Sequence, residues 1–293
     1  MSQTMAIIGL FLITMIWGGG FVASDVALLS FTPFQIMTIR FLIGTILMGL
    51  FHVKDLKSMK KEEVLSGMFM GIALFLAYAL QTIGLQYTTP SKNAFLTALN
   101  VGIVPILAFL FLRKKMNKTG IVGAILSVVG VGFLSLNADF SLGFGDVLTL
   151  LCAIAFAVQI LLTSIFVKKC RTSVLNFIQM GTAFFLSFAS MCGNGEFYIR
   201  GTTKGWIAVL YLGIVSTTIC YFVQTACQQY VEETKVAIIL SMESVFGTLL
   251  SVMILQEEIT SRMMIGCFII LSAVIISNIN GEEDVIKTTY VEN

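Results

Sequence analysis

Two ionisable residues lie inside long apolar runs, where their charge needs a reason. Glu243 stands in the run 235–255, eight residues past Lys235. At about 1.5 Å rise per residue that is about 12 Å from one end of the run. Arg40 stands in the run 34–52, about 9 Å from its start by the same arithmetic. Ionisable groups at such depth face a cavity or a partner. Glu243 suits a substrate-amine contact or a proton-coupling site, and equally a structural pair between helices. Arg40 is a planar, permanently charged fork that suits a substrate carboxylate. It also suits a structural ion pair, or snorkelling toward headgroups.

The neutral polar residues fall into stripes. Tyr78, Gln81, Thr82 and Gln86 occupy i, i+3, i+4 and i+8, one face of a helix. Tyr221, Gln224, Thr225 and Gln229 repeat that spacing. Two such stripes face to face line a cavity of hydrogen-bonding groups, or else tie helices together. Tyr78, Gln81, Tyr221 and Gln224 are the better-placed members; Gln86 and Gln229 lie near run ends. Asn93, Thr97 and Asn100 form a further stripe, while Gln159 and Gln179 stand alone. The candidate substrate contacts are therefore Trp17, Tyr78, Gln81, Thr97, Asn100, Tyr221, Gln224 and Glu243. Arg40 joins them as a structural residue or a holder of a substrate carboxylate.

The inventory argues against other chemistry. His52 is the single histidine, and the six cysteines are scattered without a CxxC, so neither a metal nor a cofactor is expected. One buried acid and one histidine do not make a catalytic set, which argues against an enzyme. No basic cluster interleaved with aromatics invites nucleic acid. The expected partners are a small-molecule substrate and a lipid bilayer, with protons added if Glu243 titrates during the cycle.

These residues are positioned by a duplicated framework. Tyr78–Ala94 and Tyr221–Ala237 share seven of 17 positions at a shift of 143 residues, including the Gln, Tyr and Lys positions. Composition adds that 57% of residues are hydrophobic and only 12% charged, against about 45–50% and about 25% for soluble domains. Lipid must be the solvent. About 20 apolar residues span the hydrocarbon core, and ten runs meet that length: 6–24, 34–52, 64–86, 92–112, 119–137, 144–167, 174–192, 205–228, 235–255 and 262–280. The runs are continuous and not alternating, so helices are expected. The first run lacks a positive n-region and reads as a retained span.

Lys and Arg set the orientation. With the N-terminus inside, thirteen fall in cytoplasmic segments and four outside, which puts both termini in the cytoplasm. Five spans per half is odd, so the second half must insert upside down. Arg113-Lys114-Lys115 aligns with Gln256-Glu257-Glu258, and the opposite charges fit opposite sides. The expected fold is all-α and integral to the membrane: ten transmembrane helices, as two inverted five-helix repeats around a central cavity. Residues 1–140 form the first repeat, 141–280 the second, and 281–293 a disordered cytoplasmic tail. Ser91 and Thr234 are expected to cap the paired spans that follow them, and Pro105 to kink its span.

The chain resembles EamA-type members of the drug/metabolite transporter superfamily. The resemblance rests on Trp17-Gly18 with Phe21-Val22, on Arg40, on Gly84–Pro105 and on Leu255–Ile275. It implies a ten-helix basket and export of amino acids or other small metabolites across the plasma membrane. Where the family often has Glu-Pro, this chain has Glu243-Ser244. A multidrug or organic-cation exporter of the same fold, and a channel-like facilitator, are the alternatives.

Overall fold

The computed structural model describes residues 1–113, 118–135, 143–256, 258 and 260–279. The opposed 113–115 and 256–258 turns fall partly outside the described residues, at Lys114, Lys115 and Glu257, and the tail 281–293 lies wholly outside them.

The described residues are helical, with no strand among them. The elements are α1 (Gln3–Leu28), α2 (Pro33–Phe51), α3 (Val53–Leu56), α4 (Lys61–Leu85), α5 (Pro90–Ala98), α6 (Asn100–Leu112) and α7 (Lys118–Ser135). They continue as α8 (Phe144–Phe166), α9 (Thr172–Gly193), α10 (Thr203–Tyr211), a π-helical segment (Leu212–Ile219), α11 (Cys220–Cys227), α12 (Glu233–Leu240), α13 (Met242–Leu255) and α14 (Ser261–Ile279). Eight segments among the described residues are long and apolar enough to cross a membrane; Pro90–Leu112, Thr203–Cys227 and Glu233–Leu255 each combine consecutive elements. Within α7 and α14 the apolar stretches are shorter, Lys118–Gly130 and Met264–Ile276.

Burial is arranged for lipid. Asn93, Gln159 and Gln179 are fully buried, while Phe69, Phe111 and Phe268 are exposed. Apolar side chains face outward because hydrocarbon solvates them, and polar ones turn inward to find partners.

The 143-residue shift is visible in backbone detail. Arg113 and Gln256 are 143 apart, and each ends its helix in the left-handed region at φ 53° and 58°. Among the described residues no other non-glycine has positive φ. The span Pro90–Leu112 breaks at Leu99 and the span Glu233–Leu255 at Ser241, one residue from strict register. Packing follows the same exchange. α4 lies on α8 and α9; its counterpart Thr203–Cys227 lies on α1 and α2, the counterparts of α8 and α9. α2 packs on its own counterpart α9, and α7 on α14.

Two local expectations are corrected. The cap before α5 is Thr89, whose side chain accepts from Lys92 N at 3.3 Å, and not Ser91. Pro90 is the reason: its preset φ and missing N–H suit the first helical position. The residue before α12 is Glu232, which makes no side-chain cap bond, and not Thr234. The break in the span that holds Pro105 lies upstream at Leu99, so it does not sit at the proline. The second span breaks without any proline. There Ser241 Oγ donates to the Ile238 carbonyl and Ser244 Oγ to the Ser241 carbonyl, both at 2.7 Å, side chain–backbone bonds of the kind that compete with the helical ladder.

Candidate functional site

A cavity with about 620 Å³ of empty space, part of it open to solvent, lies between the two halves. α1 contributes Trp17 and Ser24, and α2 contributes Arg40. From α4 come Tyr78 and Gln81, and from the span Thr203–Cys227 come Ser216, Tyr221 and Gln224. The broken spans deliver Asn100 and Glu243 just after their breaks. An interrupted helix can present a side chain and a free helix end at one depth, which a continuous one cannot.

Trp17, Arg40, Tyr78, Gln81, Asn100, Tyr221, Gln224 and Glu243 are thus brought together. Thr97 is not a lining residue: it is buried behind Gln81 and accepts from its Nε2 at 3.2 Å. Gln159 lines the cavity, whereas Gln179 lies behind it within a bonded cluster with Asn176. Gln86 and Gln229 are exposed, Gln229 bonding to Thr172 Oγ1 at 2.7 Å.

The two repeat-related tyrosines meet in the middle. Tyr221 Oη donates to Tyr78 Oη at 3.2 Å, and the rings are inclined at 62°. Trp17 packs against Tyr221 with centroids 5.2 Å apart, and Phe156 against Tyr78 at 5.3 Å. Trp17 is held by its indole N–H, which donates to the Ser216 carbonyl at 2.8 Å. These contacts gather Trp17, Tyr78, Phe156 and Tyr221 on the cavity wall.

Arg40 is 2% exposed, and its guanidinium carbon lies 4.0 Å from the Tyr78 ring centroid, a cation–π arrangement. Its Nε donates to Thr217 Oγ1 at 2.9 Å. Thr217 belongs to the π-helical segment, whose wider turn is also closed by Thr218 Oγ1 donating to the Gly213 carbonyl at 2.7 Å. π segments inside α-helices mark functional sites more often than chance. The Nη groups of Arg40 bond to no described residue. Glu243 is 8% exposed and likewise has neither a hydrogen bond nor an ion pair with any described residue. Asn100 Oδ1, Gln159 Oε1 and Gln224 Oε1 are also without partners. No group of His, Cys, Asp and Glu among the described residues could hold a metal ion.

Sequence reasoning missed Ser24, Phe156 and Ser216. The run Ser216-Thr217-Thr218 was a usable signal, three hydroxyls in apolar sequence. Phe156 carries no such mark.

Known proteins resemble this chain in family and fold. The EamA-like transporter family matches twice, over residues 4–136 and 143–279. An uncharacterized transporter of Archaeoglobus fulgidus is 34% identical over 281 residues, covering 94% of this chain and 86% of that one. The uncharacterized transporter YetK of Bacillus subtilis is 27% identical, covering 84% and 78%. A solved crystal structure superposes with a TM-score of 0.76 over 96% of this chain and 99% of its own, at 18% identity, and so shares the fold.

Proposed function

The chain belongs to the EamA-like transporter family, and on that premise we propose that it exports small organic metabolites, amino acids or related solutes, by alternating access. The observation that carries this reading is the cavity between halves, with Arg40 and Glu243 unpaired on its wall. Leaving a charge unpartnered in hydrocarbon is costly, and such residues mark transport pathways.

Inverted repeats of five spans each, 1–140 and 141–280, account for the packing. Helices exchange partners reciprocally under the 143-residue shift, and Tyr78 touches its own counterpart. An operation that returns each half to the other is two-fold. With an odd span number it reverses direction, so its axis lies in the membrane plane. α7 and α14 complete the count of ten spans in this reading. Both termini then face the cytoplasm, and the plasma membrane is the site of action.

Efflux from cells tests the function. Cells expressing the chain are loaded with labelled dipeptides, which their peptidases split to amino acids. Faster loss of labelled amino acid than from cells carrying an empty vector is expected. Equal efflux across the whole panel contradicts the proposed solute class.

A further inference from the structure

We propose that Gln159 is a solute-binding residue whose amide is held in one direction from behind, so that its carbonyl oxygen demands an N–H or O–H donor from the solute. The inference rests on the transport reading for its biological use. It adds to the same cavity one specificity-determining residue, Gln159, and two positioning residues, Thr163 and Gln179.

The direction follows from the hydrogen bonds, since the two ends of an amide are told apart by their partners. Thr172 offers a backbone carbonyl, which can only accept, so Asn176 turns its Nδ2 to it at 3.0 Å. Asn176 Oδ1 then faces Gln179 and accepts from its Nε2 at 2.6 Å. That leaves Gln179 Oε1 for Gln159, whose Nε2 approaches to 3.5 Å. Thr163 sets the same direction independently. Its single hydroxyl hydrogen goes to the Gln159 backbone carbonyl at 2.8 Å. Its Oγ1 therefore accepts from Gln159 Nε2, at 3.1 Å. A flipped Gln159 would set its carbonyl oxygen against two acceptors. Nε2 is thus occupied, and Oε1 is the end without a partner among the described residues.

Gln159 is fully buried and lines the cavity. A buried acceptor with no donor is costly, and a site completed only by the ligand's own hydrogen bond rejects ligands that lack it. Gln228 shows what a helix tie looks like beside it. Its Nε2 donates to the Ile160 carbonyl at 3.2 Å and to Ser164 Oγ at 3.1 Å, both on α8, and it is not a lining residue. The duplicated framework separates the two roles further. α1 and α2 are the counterparts of α8 and α9, and their only Asn or Gln residues, Gln3 and Gln35, stand in the first turns, away from the cavity. A tie that the fold requires would be wanted in both halves. The amide chain from Thr172 to Gln159 exists in one, as a device for reading an asymmetric solute would.

Ligand-induced thermal stabilisation of the purified full chain in detergent tests this without requiring transport. One ligand set holds the common amino acids, and a second holds primary amines and polyols. For a ligand that stabilises wild type, Gln159→Met should raise the apparent Kd at least ten-fold. Thr163→Val with Gln179→Met frees the amide at both holds and should raise it at least three-fold. Added to Gln159→Met, that pair should change the Kd no further, because it acts through Gln159. Gln228→Met is the control: it should lower the unliganded melting temperature and leave the Kd alone. A purely structural Gln159 would behave like Gln228. An apparent Kd within about two-fold of wild type in Gln159→Met overturns the proposal. So does a full effect of the Thr163–Gln179 pair in the Gln159→Met background, and so does stabilisation by no member of either set. Should Gln159→Met fail to fold, an unchanged Kd in the pair alone overturns it. Efflux judges the transport reading separately. Binding that needs Gln159 without any efflux would sink that reading and spare this inference, whereas efflux with the same KM in wild type and Gln159→Met would do the reverse. A ligand from the second set alone would keep Gln159 and displace the amino-acid class.

Discussion

Tyr78 and Tyr221 hold the same place in the repeat, 143 residues apart, and their hydroxyls touch at 3.2 Å. A residue can meet its own counterpart only near the axis that relates the two copies. In the proposed two-fold arrangement the contact would sit near that axis, and it lies on the cavity wall. Both rings are buried, so each hydroxyl depends on the other.

That dependence is measurable. Tyr78→Phe and Tyr221→Phe should each destabilise the protein by about 1 kcal/mol, since each strands one buried hydroxyl. The double substitution should cost less than the sum, with a coupling of about 0.5–1.5 kcal/mol in thermal unfolding. Strict additivity would mean that the hydroxyls do not support each other.

At Gly18, α1 packs directly against α13. A Cβ there would stand 2.6 Å from Phe246 Cβ and 2.7 Å from Gly247 N. Gly18→Ala should therefore lower stability by about 1–3 kcal/mol through overpacking. Gly132→Ala, where nothing lies within 4 Å of the added carbon, should leave the melting temperature unchanged or slightly raised. Equal losses at the two positions would disprove the packing account.

At the ends of α4 and α9, Arg171 donates through Nε and Nη2 to both Glu63 oxygens at 2.8 and 2.7 Å, and through Nη1 and Nη2 to Ser58. A lysine cannot reproduce that fork. Arg171→Lys should lower the melting temperature despite keeping the charge. Glu63→Gln should lower it too, and Arg171→Lys added to Glu63→Gln should cost little more. A melting temperature unchanged in Arg171→Lys would show that charge alone matters there.

Orientation follows from loop charge and is directly testable. Lys57 and Lys204 are both exposed. With both termini inside, a cysteine at 204 should react with an impermeant maleimide on intact cells, and one at 57 only after permeabilisation. The opposite pattern would invert the topology.

Much of this was legible in the sequence, because polar residues inside lipid-soluble runs are conspicuous. The paired stripes led to Tyr78, Gln81, Tyr221 and Gln224, and depth led to Arg40 and Glu243; all six reach the cavity. Thr97 shares the stripe of Asn100, but the break at Leu99 lies between them and separates their surroundings. Helical periodicity assumed an unbroken span, and so it could not see that. The π segment was hidden for a similar reason: one extra residue per turn leaves composition unchanged. The caps were misplaced by two residues because Ser91 and Thr234 are good cap types, while the side chain–backbone geometry at Thr89 depends on Pro90. Asn176 and Gln228 are buried polar residues whose partners, Thr225 for the first and Ile160 and Ser164 for the second, lie across helices; spacing along one chain segment does not reveal them.

The central claim is that this cavity carries solute across the membrane, and counterflow in proteoliposomes tests it most directly. Vesicles holding wild-type protein are preloaded with an unlabelled amino acid and diluted into a trace of its labelled form, with Glu243→Gln run in parallel. The account predicts transient, saturable accumulation for one class of amino acid in wild type. It predicts at least a ten-fold loss in the variant, with the protein still folded. Accumulation unchanged in Glu243→Gln, or flux that rises without saturation and needs no preload, would contradict a carrier built around this site.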